Sequence, residues 1–176
     1  MRYINIVGTT GSGKSTLARA LSKKLQLSYI ELDNLLWLDD WQESPDTEFL
    51  AKLEHSIRAA SQGWVIDNIY TRATGMIWQQ VDTIIWLDYS FSLNLYRLFK
   101  RTLSRVISRK QLWSDSNNRE SFKMMLSKES IFIWMIQKYP KNRQKYLAMM
   151  QDPKYQHIQF IHLTSTKQTK AFLQQL

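Results

Sequence analysis

Cysteine is absent from the 176 residues, which excludes disulfides and thiolate metal sites. Histidine is scarce: His55, His157 and His162 are too few and too scattered to suggest a zinc site. No apolar run approaches the ~20 residues of a membrane-spanning helix. Residues 1–10 lack the layout of a secretory signal, so a cytoplasmic protein without membrane partners is expected. The length fits one domain, and 44% hydrophobic with 22% charged residues is ordinary globular composition. Acidic residues run short in the second half. Residues 91–176 carry 4 Asp/Glu against 16 Lys/Arg, whereas residues 1–90 carry 11 against 8. The halves are therefore −3 and +12, an asymmetry that points to a polyanionic partner, either a nucleotide's phosphates or a nucleic acid.

Glycine is sparse too, and its placement is informative. Three of the five glycines, Gly8, Gly11 and Gly13, fall within six residues. They belong to Gly8-Thr9-Thr10-Gly11-Ser12-Gly13-Lys14-Ser15, which fits the phosphate-loop pattern G-x-x-x-x-G-K-[ST]. Residues 2–7 before it alternate and are rich in β-branched side chains, as suits a buried strand. Leu17, Ala20, Leu21 and Leu25 after it recur at helical spacing, with the helix ending near Gln26. That context is what the motif requires. Glycines let successive N–H groups converge on phosphate oxygens, and the helix N-terminus adds partial positive charge. Lys14 would reach the β- and γ-phosphates, the Ser15 hydroxyl would bind Mg²⁺, and Thr16 would hydrogen-bond the α-phosphate.

The rest of the chain alternates strands and helices. Strands are expected at 28–32, ending in Asp33, at 64–67 after the Gly63 turn, at 83–88 and at 158–163. Helices are expected over 46–61, capped by Asp46 or Thr47, and over about 91–108, 120–138, 141–150 and 166–176. Residues 114–118 read as a loop. The pattern implies an α/β protein with a parallel sheet covered on both sides. Ligands of such sheets sit at the carboxyl ends of the strands, where the Gly8 loop, Asp33, Asp67 and Asp88 gather. Carboxylates there can hold Mg²⁺ through water or accept a proton from an attacking hydroxyl. Each alone reads as a loop or helix cap, and Asp88 keeps that reading. Asp33 and Asp67, beside a phosphate loop, are read as site residues.

Arg97, Arg101, Arg105 and Arg109 recur every four residues along one helix face, with no evident carboxylate partners. Two readings stand for this stripe. One is a lid over phosphates, joined by Arg119 after a polar loop. The other is a nucleic-acid patch with Trp113 and Tyr96 as stacking surfaces. Trp64, Trp78, Trp86 and Trp134 read as core, whereas Trp37 and Trp41 would line an acceptor pocket.

Over nearly its whole length the chain resembles the P-loop kinases that include adenylate, shikimate and gluconate kinases. Within them it resembles the short bacterial adenylate-kinase-like proteins termed topology modulation proteins. The marks are the P-loop, Glu31-x-Asp33 with Trp37 and Trp41, Trp64-Val65-Ile66-Asp67-x-x-Tyr70-x-Arg72, Trp86-Leu87-Asp88-Tyr89 and Asn118-Arg119-Glu120-Ser121. The resemblance implies a three-layer P-loop NTPase fold, its five-stranded parallel sheet ordered 2-3-1-4-5, with a helical lid. Residues 1–176 would form one domain, with an acceptor-side segment at 33–62 and a lid at about 101–120. It also implies ATP, Mg²⁺ and transfer of the γ-phosphate to a small acceptor, a nucleoside monophosphate among the candidates. Gly8, Gly11, Ser12, Gly13, Lys14, Ser15 and Thr16 would hold the nucleotide, with Thr164 against the adenine. Asp33, Trp37, Tyr70 and Arg72 would bind the acceptor, Arg72 through a phosphate or other anionic group. Ser15 and, through water, Asp67 would hold Mg²⁺. Lys14, Arg101, Arg105, Arg119 and Asp33 would carry the chemistry. The family's Asp-Gly-Asn-Tyr is here Asp67-Asn68-Ile69-Tyr70. A glycine with free access to positive φ is thereby lost, as is a polar acceptor contact. Two other functions stay open: a nucleotide-regulated nucleic-acid-binding protein related to DNA topology, and a nucleotide binder that transfers nothing. Weak, sequence-independent nucleic-acid binding fits the +12 half, and either a monomer or a homodimer is compatible with the sequence.

Overall fold

Five short strands make one parallel sheet in the order β2-β3-β1-β4-β5, as expected. They are β1 (Tyr3–Gly8), β2 (Ser28–Glu31), β3 (Trp64–Asp67), β4 (Thr83–Leu87) and β5 (Gln159–Leu163). The computed structural model describes every residue except Lys110, Asp115, Leu126, Lys128 and Glu129. The period-2 alternation of each strand sorts its side chains onto two faces. Val7, Trp64, Ile66, Ile84 and Trp86 pack on one side, and Ile4, Ile6, Val65, Ile85 and Leu87 on the other. All five residues of β4 are buried, so this strand is covered on both faces.

The first face is covered by α3 (Asp46–Ala59), α4 (Thr74–Trp78) and α7 (Ile131–Gln151), through Phe49, Leu53, Ile77, Trp78 and Tyr146. The second is covered by α1 (Lys14–Leu25) and α8 (Thr166–Gln175), through Leu17, Leu21, Phe172 and Leu173. The short α2 (Leu32–Leu36) follows β2 directly, so Asp33 lies in its first turn. The long α5 (Phe91–Ser108) matches its expected bounds, and the short α6 (Phe122–Met125) follows it. No described helix is long and apolar enough to cross a membrane.

Several local expectations are corrected. Helix α3 starts behind Pro45, with no side-chain cap from Asp46 or Thr47. The Phe49 N–H bonds the Pro45 carbonyl instead, at 2.9 Å. The helices expected at 120–138 and 141–150 are divided elsewhere: α7 runs unbroken through Pro140. The missing proline N–H falls on an exposed flank, where water can satisfy the orphaned carbonyl. Asp115 of the expected loop, and Leu126, Lys128 and Glu129 of the expected helix, lie outside the described residues. Trp134 is 44% exposed rather than core, because Met135 takes the inward position on α7. Asp88 is no cap. Ser90 caps α5, while the Asp88 carboxylate is held by Arg143 (3.2 Å) and His162 (3.0 Å).

Candidate functional site

The loop between β1 and α1 is shaped by its glycines. Gly8, Gly11 and Gly13 stand at φ 148°, 82° and 94°. A Cβ on Gly11 would lie 2.4 Å from the Asn94 carbonyl of α5, and one on Gly8 would lie 2.6 Å from that of Leu87. Glycine here serves close packing of the loop against its neighbours as well as conformation. Lys14 folds back over the loop and donates to the carbonyls of Gly8 (2.9 Å) and Thr9 (3.3 Å). Burial holds its ammonium below the ordinary 10.5; Asp33 and Asp67 oppose that shift and Arg101 reinforces it.

The parallel register sets Asp67 beside Glu31 on β2 and Ile6 on β1, at the end of the sheet where the loop emerges. Asp67 is buried and accepts hydrogen bonds from Ser15 and from the Tyr29 hydroxyl (3.1 Å). Burial pushes its carboxyl from 3.8 up to about 6; the Ser15 hydrogen bond works against that, and the charges of Asp33 and Glu31 add to it. Asp33 accepts at one oxygen, Oδ1, from Tyr70 (2.5 Å) and from Asn68 (3.1 Å). The Trp37 side chain in turn hydrogen-bonds Tyr70. Lys14, Ser15, Asp33, Asp67, Trp37 and Tyr70 are thus brought together. Asn68 stands at φ 71°, a conformation that asparagine tolerates better than most residues.

The arginine stripe divides. Arg97 donates to the Ser12 carbonyl (3.3 Å) and lies over the Tyr89 ring. Arg101 donates to the Thr10 hydroxyl (3.4 Å), and burial followed by the neighbouring Arg105 holds its guanidinium below the ordinary value. Its Nε is buried without a described partner. The expectation of no carboxylate partners fails for Arg105, which pairs with Glu120 at 3.0 Å. Arg109 ends the helix, exposed at φ 49°. With the loop, Arg97, Arg101 and Arg105 line a cleft of about 510 Å³ that Thr166, Thr169 and Lys170 of α8 close. Thr164 turns instead to Gln168, donating through its N–H and hydroxyl. Arg119 is exposed and pairs with Gln111 through its backbone.

On the acceptor side, Trp37, Trp41 and Trp113 pack on one another with centroids 5.8–6.2 Å apart. Trp113 therefore belongs to this trio rather than to an outer surface with Tyr96. Asn118 donates to the Leu38 carbonyl and accepts from the Trp41 N–H (2.7 Å), and Asn117 bonds Asp39 and Asp40. These contacts tie residues 117–118 to the turn at 38–41 after Asp33. Trp113, Glu31, Asn34, Ser28 and Ser56 line a second recess of about 470 Å³. Arg72 donates to Glu43 (2.5 Å) and to Asp46, and its guanidinium lies over the Phe49 and Tyr70 rings.

Residues 4–124 match the AAA domain family. The chain belongs to that family. This AAA-domain chain is 28% identical over 104 residues to the protein YqaC of Bacillus subtilis (strain 168). The match takes in 59% of this chain and 58% of the relative's length. A gluconokinase from Sinorhizobium meliloti 1021 superposes with a TM-score of 0.54 at 14% identity, over 99% of this chain and 94% of its own. A shikimate kinase from Bacteroides thetaiotaomicron gives 0.46 at 16% identity, over 98% and 94%. The likeness to the gluconokinase is one of fold: the five-stranded parallel sheet and its covering helices.

Sequence reasoning missed three residues that shape the site. Asn5, buried inside β1, donates to the carbonyls of Ile66 and Asn68 and accepts from Trp78, which fixes the turn after Asp67. An asparagine within a β-branched strand is the available signal. Tyr29 and Glu120 give none, since their partners Asp67 and Arg105 meet them only in the folded chain.

Proposed function

We propose that this protein is an ATP- and Mg²⁺-dependent phosphotransferase that moves the γ-phosphate of ATP to a small acceptor. One observation carries the reading. Lys14 and Arg101 are desolvated cations over the same glycine-rich loop, and neither has a carboxylate within ion-pair distance among the described residues. Buried cations without partners cost stability, and a polyphosphate seated on the loop would supply the missing charge. The loop's N–H groups and the N-terminus of α1 would bind the phosphates, with Lys14 and Arg101 placed to stabilise charge that develops during transfer. Asp33 presents Oδ2 free of described hydrogen bonds, because Tyr70 and Asn68 both hold Oδ1. It is placed to orient the acceptor hydroxyl and take its proton. Ser15 and Asp67 fit a magnesium ion: a buried carboxylate among other carboxylates, bonded to a hydroxyl, is a favourable place for a divalent cation. Magnesium would neutralise charge on the phosphate oxygens.

The chain reads as a member of the adenylate-kinase-like branch, with Asn68 adopting the positive φ where that branch has glycine. The inward turn of Arg97 and Arg101 onto the loop supports a lid over a nucleotide more than a nucleic-acid surface. The test is a coupled ADP-release screen with Lys14→Ala as control. Turnover with at least one small hydroxyl compound, and loss of ATP binding in the variant with the fold retained, are expected. Unchanged ATP affinity in Lys14→Ala would refute the assignment.

A further inference from the structure

We infer that the acceptor is a hydroxyl compound without a phosphate or carboxylate group, uncharged or cationic. The inference rests on the phosphotransferase reading and names the substrate class of that site. It follows from where the cations of the acceptor side are spent. Residues 28–72 hold nine carboxylates and three cations, Lys52, Arg58 and Arg72. Lys52 and Arg58 are taken up along α3 by Glu48 and Glu54. Arg72 is the one near the acceptor site: its guanidinium lies over the ring of Tyr70, whose hydroxyl bonds Asp33. One of its terminal nitrogens is held by Glu43 and the other by Asp46, so the fork that would grip a phosphate is already filled by two carboxylates.

An anionic acceptor would have to displace both carboxylates from Arg72 and would then face them, together with Asp33. The second recess points the same way. It is lined by Glu31, Asn34, Ser28, Ser56 and Trp113, its described lining contains no lysine or arginine, and the Glu31 carboxylate is itself paired with Arg19 at 2.9 Å. Hydroxyls, ring faces and amines suit such walls; phosphates and carboxylates do not. Lys14, Arg97, Arg101 and Arg105 line the cleft over the P-loop, where the donor's phosphates would lie. The charge asymmetry seen in the sequence thereby becomes a division of labour within one site: basic for the donor, acidic for the acceptor.

The experiment compares matched pairs in the ADP-release assay: nucleosides against their 5′-monophosphates, and neutral or amino sugars against the corresponding sugar acids. At least one uncharged or cationic member should be phosphorylated with kcat/KM at least tenfold above its anionic partner. The double variant Glu43→Gln/Asp46→Asn frees Arg72 and should narrow that ratio at least tenfold, by lowering KM for the anionic member. Since this is a gain for a poor substrate, a folding defect cannot imitate it. Preference of the wild type for the anionic members, failure of every non-anionic compound, or an unmoved ratio in the double variant would each overturn the inference. ATP binding, and its dependence on Lys14, is measured in parallel. Its absence overturns the phosphotransferase reading itself, whereas its presence confines any failure to the acceptor class.

Discussion

Replacing Asp67 by asparagine keeps the shape of a buried side chain and removes its charge. The substituted amide would still accept hydrogen bonds from Ser15 and Tyr29 through its carbonyl oxygen, so the fold should persist. In the native protein burial raises the Asp67 carboxyl from 3.8 to about 6. A raised folded value means that the native state binds more protons than the unfolded chain between about pH 4 and pH 6. The stabilisation from this group is therefore present below pH 4 and is lost as the pH rises through 6. The displacement corresponds to about 3 kcal/mol, little screened because Asp67 is only 4% exposed. Urea denaturation of the nucleotide-free wild type and of Asp67→Asn, at intervals from pH 4 to pH 7, measures it directly. The stability of the variant relative to the wild type should rise by about 3 kcal/mol across that range. A difference that stays flat, or that moves the other way, would refute the reasoning. Turnover should fall in the same variant at every pH, because the carboxylate that would help to hold magnesium is gone.

Two further outcomes follow from the loop and its lid. Arg101→Met removes a buried cation without a described carboxylate partner. The nucleotide-free variant should be no less stable than the wild type in denaturant titration, while kcat falls roughly 10²–10³-fold. Gly11→Ala places a methyl group 2.4 Å from the Asn94 carbonyl at φ +82°. Stability should drop by at least about 1–3 kcal/mol from the backbone alone, and ATP titration should show weaker binding, because the loop can relieve the clash only by moving away from α5.

What the sequence made legible was local. The P-loop, the strand alternation and the apolar stripes are repeated over a few residues, so the parallel α/β class and the gathering of Lys14, Ser15 and Asp67 at one end of the sheet follow from pattern, whereas the strand order comes from the resemblance to P-loop kinases. The acceptor side is different, because its contacts join segments far apart in the chain. Asn117 and Asn118 reach the turn at 38–41 across 77 to 80 residues. That turn depends on Asp40 and Trp41 at φ 54° and 60°, a conformation that aspartate adopts more readily than most residues but that tryptophan does not advertise. Pro140 reads as a break because a proline costs a helix one hydrogen bond. On an exposed flank, and with Met135 and Tyr146 anchored in the core, α7 tolerates that loss.

Charge shows the limit most clearly. Composition counts Arg72 as an available cation and the arginine stripe as unpaired. In the fold, Arg72 is spent on Glu43 and Asp46 and Arg105 on Glu120, while Arg101 has no carboxylate partner among the described residues. Pairing decides which charges are left to act on a ligand, and pairing is a tertiary property. Of the basic residues, those left over the P-loop are the ones whose neutralisation by a polyphosphate would stabilise the protein under the proposed function. By the same logic, residues 28–72, where every cation already has its carboxylate, would be a poor host for another anion, which is what the proposed acceptor class requires.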